Sequence, residues 1–416
     1  MYELLEPRKI LCIDMQSFFA SCSAAVHGLD IQQEAIAIVG NLEQKGSVVL
    51  AASSPMKKRF GVKTGTRLFE IPNHPDIRII QPQMELYVKI SAEITRYLNQ
   101  IVPMEDIHVY SIDESFIDIK GTEHLWGDAW DVARKIRSDL LRQFQVPCTI
   151  GIGPNMLLAK LALDLEAKKT TFAEWTYEDV PTKLWPVSPL RDVWGIGPRL
   201  ERTLHSMGIY TMGDLAHTPL ERLEDKFGVM GNQLYHHAWG IDLSDIGAPL
   251  MEGQVSYGKG QILFRDYNSK KEVMAVVLEM TEDVGRRLRE AKKVGRTMHM
   301  SIGYSKFGGF SRSMSIDEAT NRTSVIYEAF DLLMDTFYDG SPVRRIALSV
   351  SNLEEDESLQ LNLFSHREQL REERLGKTVD ALRRKYGSTA VLRAVSYTAD
   401  GTARYRATLL GGHNKL

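Results

Sequence analysis

Short apolar runs that end at an acidic residue stand out along the chain. Residues 10–13 are followed by Asp14, and residues 109–112 are followed by Asp113 and Glu114. Runs of this length and composition predict buried β-strands. A strand that stops at a carboxylate presents it at the edge of a sheet, and carboxylates from two neighbouring strands are suitable ligands for Mg²⁺. The pattern therefore predicts a site for one or two Mg²⁺ ions, which suits phosphoryl chemistry.

The spacing of apolar residues predicts a regular order of elements around these carboxylates. We expect strands at 9–14, 35–39, 48–52 and 149–153 and on both sides of Asp113, with helices from Ser17 onward and over 84–101, 128–144 and 155–167. Strand, helix, two strands, helix and strand is the split βαβ order of ferredoxin-like folds. In that fold the first and third strands are neighbours, which would bring Asp14 to Asp113.

A different kind of unit is predicted after residue 167, where prolines cluster at 181, 186 and 189 and indicate a domain boundary. The G-x-G turn of Gly195 and Gly197, followed by Arg199, lies between two predicted short helices. This is typical of a helix-hairpin-helix motif, whose backbone N–H groups point at a phosphate. The alternative is a glycine-rich loop with no special function.

A second small α+β unit is predicted over 256–352, with strands near 259–264, 297–303, 311–316 and 344–350 and helices near 271–291 and 323–337. Its cations cluster, with Glu290 as the only acidic residue between 286 and 312. Such a cluster predicts contact with a phosphate backbone. A solvated helix end and loop is the alternative. The candidate DNA-binding residues here are Arg286, Lys292, Lys293, Arg296 and Arg312.

Composition changes this picture little. The 416 residues suggest three or four domains at roughly 100–200 residues each. A formal net charge of -3 does not decide about nucleic acid, because a neutral total can contain a basic groove. Cys12, Cys22 and Cys148 show no C-x-x-C spacing, so neither a disulfide framework nor a zinc site is predicted. Without a secretion signal or an apolar stretch of about 18 residues, we expect a cytoplasmic protein.

The last part of the chain turns acidic at 354–357 and then contains an apolar group at 360–364. An apolar group in an acidic context predicts a peptide that docks in a partner's groove. A strand or helix start that packs on its own protein is the alternative. Residues 365–416 show an amphipathic helix and then strand-like pieces, to which the sequence assigns no role.

Five segments together resemble, in order, the motifs of Y-family translesion DNA polymerases, most closely the bacterial UmuC and UvrX-type subgroup. They are the two catalytic strands at 13–20 and 110–116, the end of the palm at 159–162, the opening of the thumb at 194–197 and a clamp-binding pentapeptide at 360–364. The resemblance covers nearly the whole chain. Any one segment could arise by chance, whereas five in the same order are hard to explain otherwise.

The resemblance implies an α+β multidomain fold with a ferredoxin-like βαββαβ palm, small fingers, a helix-hairpin-helix thumb and an α+β little finger. The expected boundaries are palm 1–23 and 75–166, fingers 24–74, thumb 167–245, linker 246–255, little finger 256–352 and a tail at 353–416. Fingers of some 50 residues cannot enclose the nascent base pair tightly, and closure around the correct pair normally adds discrimination. We therefore expect a low-fidelity polymerase of the SOS response to DNA damage, acting in translesion synthesis.

The resemblance also implies roles for the acidic residues. Asp14, Asp113 and Glu114 would be the catalytic ligands of two Mg²⁺ ions, with the main-chain carbonyl of Met15 as a further ligand. One ion would activate the primer 3′-hydroxyl and the other would hold the β and γ phosphates of the nucleotide. For any one carboxylate alone, a strand-end or capping role is the simpler interpretation. The three together favour the metal site.

Four further residues would contact the incoming deoxynucleotide. Phe18 and Phe19 would offer backbone N–H groups near the triphosphate, and Phe19 would be the steric gate that leaves no room for a 2′-hydroxyl. Lys58 and Lys160 would act as phosphate-binding cations. A core phenylalanine and an ordinary surface lysine are the respective alternatives.

The implied partners are primer-template DNA, deoxynucleoside triphosphates and the β subunit of the sliding clamp, with accessory subunits as in some relatives. The clamp would bind Gln360, Leu361, Leu363 and Phe364. No membrane association is expected.

The chain departs from the family pattern at two places. Many members carry a Tyr and an Arg three residues apart in the fingers, where this chain has Pro55 and Lys58. Lys58 cannot form a planar bidentate contact with phosphate, so nucleotide affinity would be weak or Arg59 would take over. Residues 166–169 read Glu-Ala-Lys-Lys where many members have Ala-Lys-Pro.

Two rival interpretations remain. A nucleotide cyclase can use the same palm and paired carboxylates, but it has no duplex to hold and so needs no helix-hairpin-helix motif. A non-catalytic, clamp-recruited DNA-binding scaffold with a decayed palm is the other. Pro55 and Lys58 favour it, while the presence of all three carboxylates weighs against it.

Overall fold

The computed structural model describes residues 2, 5, 8–44, 46–247, 255–356 and 366–415. The chain divides into two compact units, one of residues 1–249 with 413–416 and one of residues 250–412. No helix within the described ranges is both long and apolar enough to span a membrane. The finer division of the first unit into palm, fingers and thumb stays a prediction.

The strands of the first unit are β1 (Ile10–Met15), β2 (Ala35–Val39), β3 (Val49–Ala52), β4 (Ile77–Ile80), β5 (Ile107–Val109), β6 (Glu114–Asp118), β7 (Cys148–Gly153) and β8 (Phe172–Glu174). Its helices are α1 (Phe18–Val26), α2 (Ser54–Phe60), α3 (Met84–Leu98), α4 (Glu123–Trp126), α5 (Ala129–Phe144), α6 (Met156–Ala162), α7 (Lys168–Thr170), α8 (Pro198–Ser206), α9 (Met212–Ala216), α10 (Leu220–Phe227) and α11 (Val229–Ala238).

The central sheet has the strand order β5-β6-β1-β7-β8. β1 pairs antiparallel with β6 and with β7, so the first and third strands of the βαββαβ order are neighbours, as predicted. Both faces of the sheet are covered. Leu11 and Ile13 pack into the same core as residues of α3 and α5, while Ile10 and Cys12 pack with residues of α6. Burial on both faces explains why β1 is continuously apolar and not alternating.

Two glycines in β7 allow α6 to lie directly on the sheet. A Cβ at Gly151 would lie 2.1 Å from the Ala159 carbonyl oxygen, and one at Gly153 would lie 2.5 Å from the Ala159 nitrogen. Asn155 caps α6, because its Oδ1 accepts a hydrogen bond from Leu158 N at 2.8 Å. The sequence predicted one helix over 155–167, but α6 passes into a π-helical turn at Leu163–Ala167.

A separate three-stranded sheet has the order β3-β2-β4, with β2 and β3 antiparallel and β2 and β4 parallel. Strands β2 and β3 confirm the predicted apolar runs, whereas β4 and β8 were not predicted. The last described residues contact α3. The strand β14 (His413–Asn414) is followed by Lys415, whose carbonyl oxygen accepts a hydrogen bond from Glu85 N at 3.0 Å.

The second unit contains β9 (Ser256–Tyr267), β10 (Lys293–Tyr304), β11 (Gly309–Thr320), β12 (Val343–Glu355) and β13 (Leu409–Leu410), with helices α12 (Lys270–Glu290), α13 (Thr323–Phe337), α14 (His366–Tyr386) and α15 (Ala403–Arg406). The order β11-β10-β12-β9 is antiparallel throughout. Apolar side chains of α12 and α13 pack on one face of this sheet, against strand residues that include Met298 and Met300 of β10. The predicted strands and helices are confirmed, and the strands are longer than predicted.

The residues after β12 add a layer to the second unit. Asp380 of α14 accepts hydrogen bonds from Arg289 of α12 at 2.6 and 3.1 Å, and both side chains are largely buried. Glu282 of α12 accepts hydrogen bonds from Arg383 at 2.8 Å and Arg393 at 2.7 Å. Residues 366–412 therefore have the structural role that the sequence did not assign.

We predict that Asp380→Ala lowers the free energy of unfolding of the second unit by about 3 kcal/mol, because it leaves the Arg289 guanidinium buried without its partner. Urea unfolding, with hydrogen exchange followed in α12, measures this. Lys377→Ala on the same helix is the matched control, since its ion pair with Glu373 is exposed and is worth about 0.5 kcal/mol or less. Equal effects of the two variants would contradict this anchoring role.

Candidate functional site

The carboxylate of Asp14 lies at the end of β1, beside β6. Asp14 is the register partner of Glu114, so the two predicted acidic clusters meet across one strand pair. Asp14 and Asp113 line a common pocket. Its other lining residues are Met15, Ser17, Phe18, Phe19, Leu50, Ala51, Ala52, Lys57 and Thr64. The prediction that chain folding brings the two acidic clusters together is thus realised in the fold.

The electrostatic environment of Asp14 disfavours its ionised form. Burial raises the pKa of Asp14 to about 6, and repulsion from Glu114 and Asp113 adds to this effect, although the ammonium of Lys168 opposes it. A carboxylate that is buried beside two others binds a cation favourably, because the cation relieves both the desolvation and the repulsion. The donor set therefore fits Mg²⁺.

The loop that carries Asp113 is held by its own backbone. Glu114 O accepts hydrogen bonds from Tyr110 N at 3.1 Å and Ser111 N at 3.0 Å, and Asp113 O accepts one from Met15 N at 2.8 Å. The Ser111 hydroxyl donates to Asp113 Oδ1 at 2.7 Å. These contacts fix the position of the Asp113 carboxylate next to β1.

Glu114 is directed differently from the other two carboxylates. It is 7% exposed and accepts hydrogen bonds from Lys160 Nζ at 2.8 Å and from Cys12 Sγ at 3.3 Å. Consequently, the described part of the chain contains no group of three His, Cys, Asp or Glu residues already placed to hold one ion. Asp14 and Asp113 face the pocket, while Glu114 faces Lys160.

Lys160 does not line the pocket of Asp14 and Asp113. Its ammonium is buried between Glu114 and Asp164, the latter at 3.3 Å. Burial alone would lower the pKa of Lys160, but nearby Cys12 and the ion pairs with Glu114 and Asp164 outweigh it and raise the pKa. Asp164 also pairs with Lys168 at 2.6 Å. The chain of alternating charges from Glu114 through Lys160 and Asp164 therefore ends at Lys168.

Two cations that the sequence analysis did not select, Lys57 and Lys168, lie near Asp14. Lys57 lines the pocket and donates a hydrogen bond to Ser17 Oγ at 3.1 Å. Desolvation lowers the pKa of Lys57 and the neighbouring Lys168 lowers it further, whereas attraction to Asp14 opposes both. Lys58, which was selected, does not line this pocket.

The conformation of α2 explains why Lys57 and not Lys58 lines the pocket. It also explains why a proline is tolerated at position 55. Pro55 occupies the first turn of α2, a position that proline favours because no helical partner is lost there, and Ser53 caps the helix. Since successive helical residues point about 100° apart, counting residues from a family motif could not show which lysine faces the pocket. Arg59 forms an ion pair with Asp76 and its guanidinium lies over the Phe60 ring.

Phe19 lies on the pocket wall, where its ring is fixed by stacking. The ring centroids of Phe19 and Tyr87 are 4.5 Å apart with an interplanar angle of 11°. Tyr87 is in turn buried and hydrogen-bonded to Ser23 Oγ at 2.7 Å. Phe18 points into the core, with 2% of its surface exposed. The pocket therefore has a rigid aromatic wall at Phe19.

The predicted hairpin is present, with Gly195 at a φ of 90° and Gly197 at the N-cap of α8. Pro198 and Arg199 form the first turn of α8. Only glycine adopts the Gly195 conformation without strain. The hairpin therefore has the backbone geometry that the motif requires.

The predicted basic cluster of the second unit is largely neutralised. Arg286 pairs with Glu290 at 2.7 Å, Lys293 pairs with Glu355, and Arg296 pairs with Glu354 at 2.7 Å. The guanidinium of Arg312 lies over the Phe337 ring, and Lys292 has a φ of 53° at the end of α12. Three of the five candidate cations are therefore already engaged in ion pairs within the protein. The clamp-binding candidates Gln360, Leu361, Leu363 and Phe364 lie outside the described residues.

Comparison with known proteins gives three matches to family models. Residues 13–164 match the impB/mucB/samB family, residues 254–363 match the C-terminal domain of that family, and residues 177–209 match the helix-hairpin-helix motif of the same family.

Individual relatives match this chain over nearly its whole length. The UvrX protein of Bacillus subtilis, named for UV-damage repair, is 55% identical and covers 98% of both chains. DNA polymerase IV 2 of the same organism is 38% identical over 99% of this chain and 100% of its own. Among solved structures, a Y-family DNA polymerase chimera matches with a TM-score of 0.64 at 19% identity, over 83% of this chain and 98% of its own, and supports the fold.

The raised pKa of Asp14 leads to a pH-dependent prediction. The folded pKa of about 6 exceeds the unfolded value, so metal-free protein loses stability as the pH rises through about 6. Above that pH, Asp14→Asn should increase the free energy of unfolding by about 1–3 kcal/mol. Mg²⁺ should stabilise the wild type and not this variant, as measured by urea unfolding with and without Mg²⁺.

Asp118→Asn is the control for this experiment. Asp118 lies at the other end of β6 and pairs with Arg8 at 3.1 Å. Its replacement should leave the stabilisation by Mg²⁺ intact. Equal Mg²⁺ stabilisation in Asp14→Asn would contradict the assignment of Asp14 as a ligand.

Proposed function

The chain belongs to the impB/mucB/samB family, the Y-family DNA polymerases, and we propose that it inserts deoxynucleotides opposite damaged template bases. As a member of this family it is a DNA-directed DNA polymerase that acts on primer-template DNA and deoxynucleoside triphosphates. The observation that carries the proposal is the pocket in which Asp14 and Asp113 face Lys57 and the Phe19 ring. Carboxylates for metal, a cation for phosphate and an aromatic wall for the sugar are what nucleotidyl transfer requires.

Asp14, Asp113, Glu114 and the Met15 carbonyl would hold two Mg²⁺ ions. When bound, such ions lower the pKa of the primer hydroxyl and neutralise charge on the phosphates. Glu114 would first have to turn from Lys160 toward the pocket. Since Lys160 keeps Asp164 as a second partner at 3.3 Å, its charge would stay paired after this change.

Lys57 and Lys168 would receive the triphosphate. Both lie close enough to Asp14 to affect its pKa or to be affected by it. An ammonium group is a point charge on a flexible stem, which suits phosphate oxygens of varied position. Lys160, in contrast, would position Glu114 and not contact the nucleotide.

Phe19 would exclude ribonucleotides by steric overlap with the 2′-hydroxyl. Stacking on the buried Tyr87 holds its ring against displacement. Steric exclusion depends on how firmly the ring is held more than on its chemical groups, because a ring that could rotate away would leave room for the 2′-hydroxyl.

DNA would be held by the hairpin of Gly195 and Gly197 with Arg199, through the phosphate backbone. In the second unit we propose that DNA is contacted by the sheet face opposite α12 and α13. There Thr297 is hydrogen-bonded to Ser315 at 3.0 Å and His299 to Ser313 at 2.9 Å. Short hydroxyl side chains on this sheet face let phosphates approach closely. Recruitment by the sliding clamp through residues 360–364 is proposed from the sequence alone.

We predict that Asp113→Ala abolishes primer extension in the presence of Mg²⁺ while changing the Kd for primer-template DNA less than about 3-fold. The reason is that the carboxylate is directed into the pocket, and removing one metal ligand commonly costs orders of magnitude in rate. A labelled primer on an undamaged and a damaged template provides the measurement.

The same assay separates the rival functions. A scaffold would bind the DNA without extending the primer, and a cyclase would convert a nucleoside triphosphate without any template. Substantial residual synthesis by Asp113→Ala would instead refute the metal assignment.

We further predict that Lys57→Ala raises the KM for the deoxynucleotide about 10-fold, equivalent to about 1.4 kcal/mol, because a phosphate loses a charge-assisted contact. Lys58→Ala is the matched control on the same helix and should change the KM less than about 2-fold. Steady-state kinetics with a fixed primer-template measures both. A larger effect at Lys58 would show that the family motif, and not the orientation of α2 in this structure, identifies the phosphate-binding lysine.

A further inference from the structure

An aromatic contact joins the phosphate-binding hairpin to the loop that carries Asp113. The indole Nε1 of Trp194 donates a hydrogen bond to Tyr110 OH at 3.2 Å. The ring centroids of the two residues are 5.8 Å apart and the rings are nearly perpendicular, at 78°. Trp194 directly precedes Gly195, where the hairpin turns. A movement of the hairpin would therefore be transmitted to the Trp194 ring.

On the other side, Tyr110 is the first residue of the Asp113 loop. Its backbone N donates to Glu114 O at 3.1 Å, and Ser111, next to it, holds Asp113 Oδ1. The Tyr110 ring also meets the fully buried Phe116 ring edge to face, at 6.0 Å. The three rings form one cluster, because Trp194 also meets the Phe116 ring at 6.3 Å, and the Tyr110 backbone closes the turn that places both acidic residues.

This contact is more exposed than the packing inside the core. Tyr110 is 42% exposed, and the hydrogen bond to Trp194 is exposed as well. An exposed hydrogen bond and ring contacts at a partly exposed position add little to folding. They do restrict the relative position of two elements that have different tasks in the proposed function.

We propose that Trp194 and Tyr110 are positioning residues. They couple binding of the DNA backbone by the hairpin to the placement of the Asp113 carboxylate. The proposal rests on the proposed polymerase function. Binding of a phosphate at Gly195 and Gly197 fixes the hairpin, Trp194 then fixes the Tyr110 ring, and the Tyr110–Glu114 turn holds the carboxylates. Catalysis thereby depends on a correctly held duplex, because displacement of a reacting group by about 1 Å can cost on the order of 100-fold in rate.

The test is a double-mutant cycle with Trp194→Phe and Tyr110→Phe, which remove the donor and the acceptor and leave an aromatic ring at each position. The full-length protein is used with primer-template DNA and Mg²⁺, and the single-turnover insertion rate, the Kd for DNA and the Mg²⁺ concentration for half-maximal rate are measured. Each single variant should lower the rate about 3- to 10-fold and raise the Mg²⁺ requirement, and the double variant should be no worse than either. The Kd for DNA should change less than about 2-fold.

Trp185→Phe is the matched control, because the Trp185 indole donates to the Ala238 carbonyl oxygen at 2.9 Å, away from the pocket. It should lower the melting temperature without changing the rate or the Mg²⁺ requirement. Multiplicative effects in the double variant, or a loss confined to the Kd for DNA, would overturn the coupling. A wild type that extends no primer would instead refute the proposed function, so the two failures are distinguishable.

Discussion

The antiparallel pairing of β1 with β6 is the constraint on which the site depends. Its register sets Asp14 opposite Glu114 across one pair of strands, and the hydrogen bond from Met15 N to Asp113 O extends the pairing by one step. A shift of one residue would turn Asp14 to the other face of the sheet. A shifted register would also have to repack two cores, since Leu11 and Ile13 fill one while Ile10 and Cys12 fill the other.

What the sequence could predict was local in origin. An apolar run that ends at a carboxylate identifies β1 and Asp14 without knowledge of the rest of the chain, and the order of strands and helices is sufficient to make β1 and β6 neighbours. The hairpin of Gly195 and Gly197 is equally local, because a positive φ requires glycine at a turn. The long amphipathic helices α5 and α12 were found for the same reason.

What could not be predicted depends on how a helix is rotated about its axis and on partners that are distant in sequence. Lys57 and Lys58 are neighbours in sequence, and only the orientation of α2 shows that Lys57 lines the pocket. The π-helical turn at 163–167 could not be expected from apolar spacing, which predicted one continuous helix. The basic cluster looked unpaired because Glu354 and Asp380 lie far along the chain from Arg296 and Arg289. Charge counted in a window omits partners that the fold supplies.

The internal pairing of cations in the second unit has a consequence for how the protein would associate with DNA. Arginines and lysines that already face Glu290, Glu354, Glu355 and Asp380 would displace few condensed counterions from a duplex. The part of the affinity that these residues contribute would then fall only gently with ionic strength, whereas a strongly basic protein loses affinity steeply. The same feature would make unspecific attachment to bulk chromosomal duplex weak, leaving the enzyme free to exchange rapidly between sites.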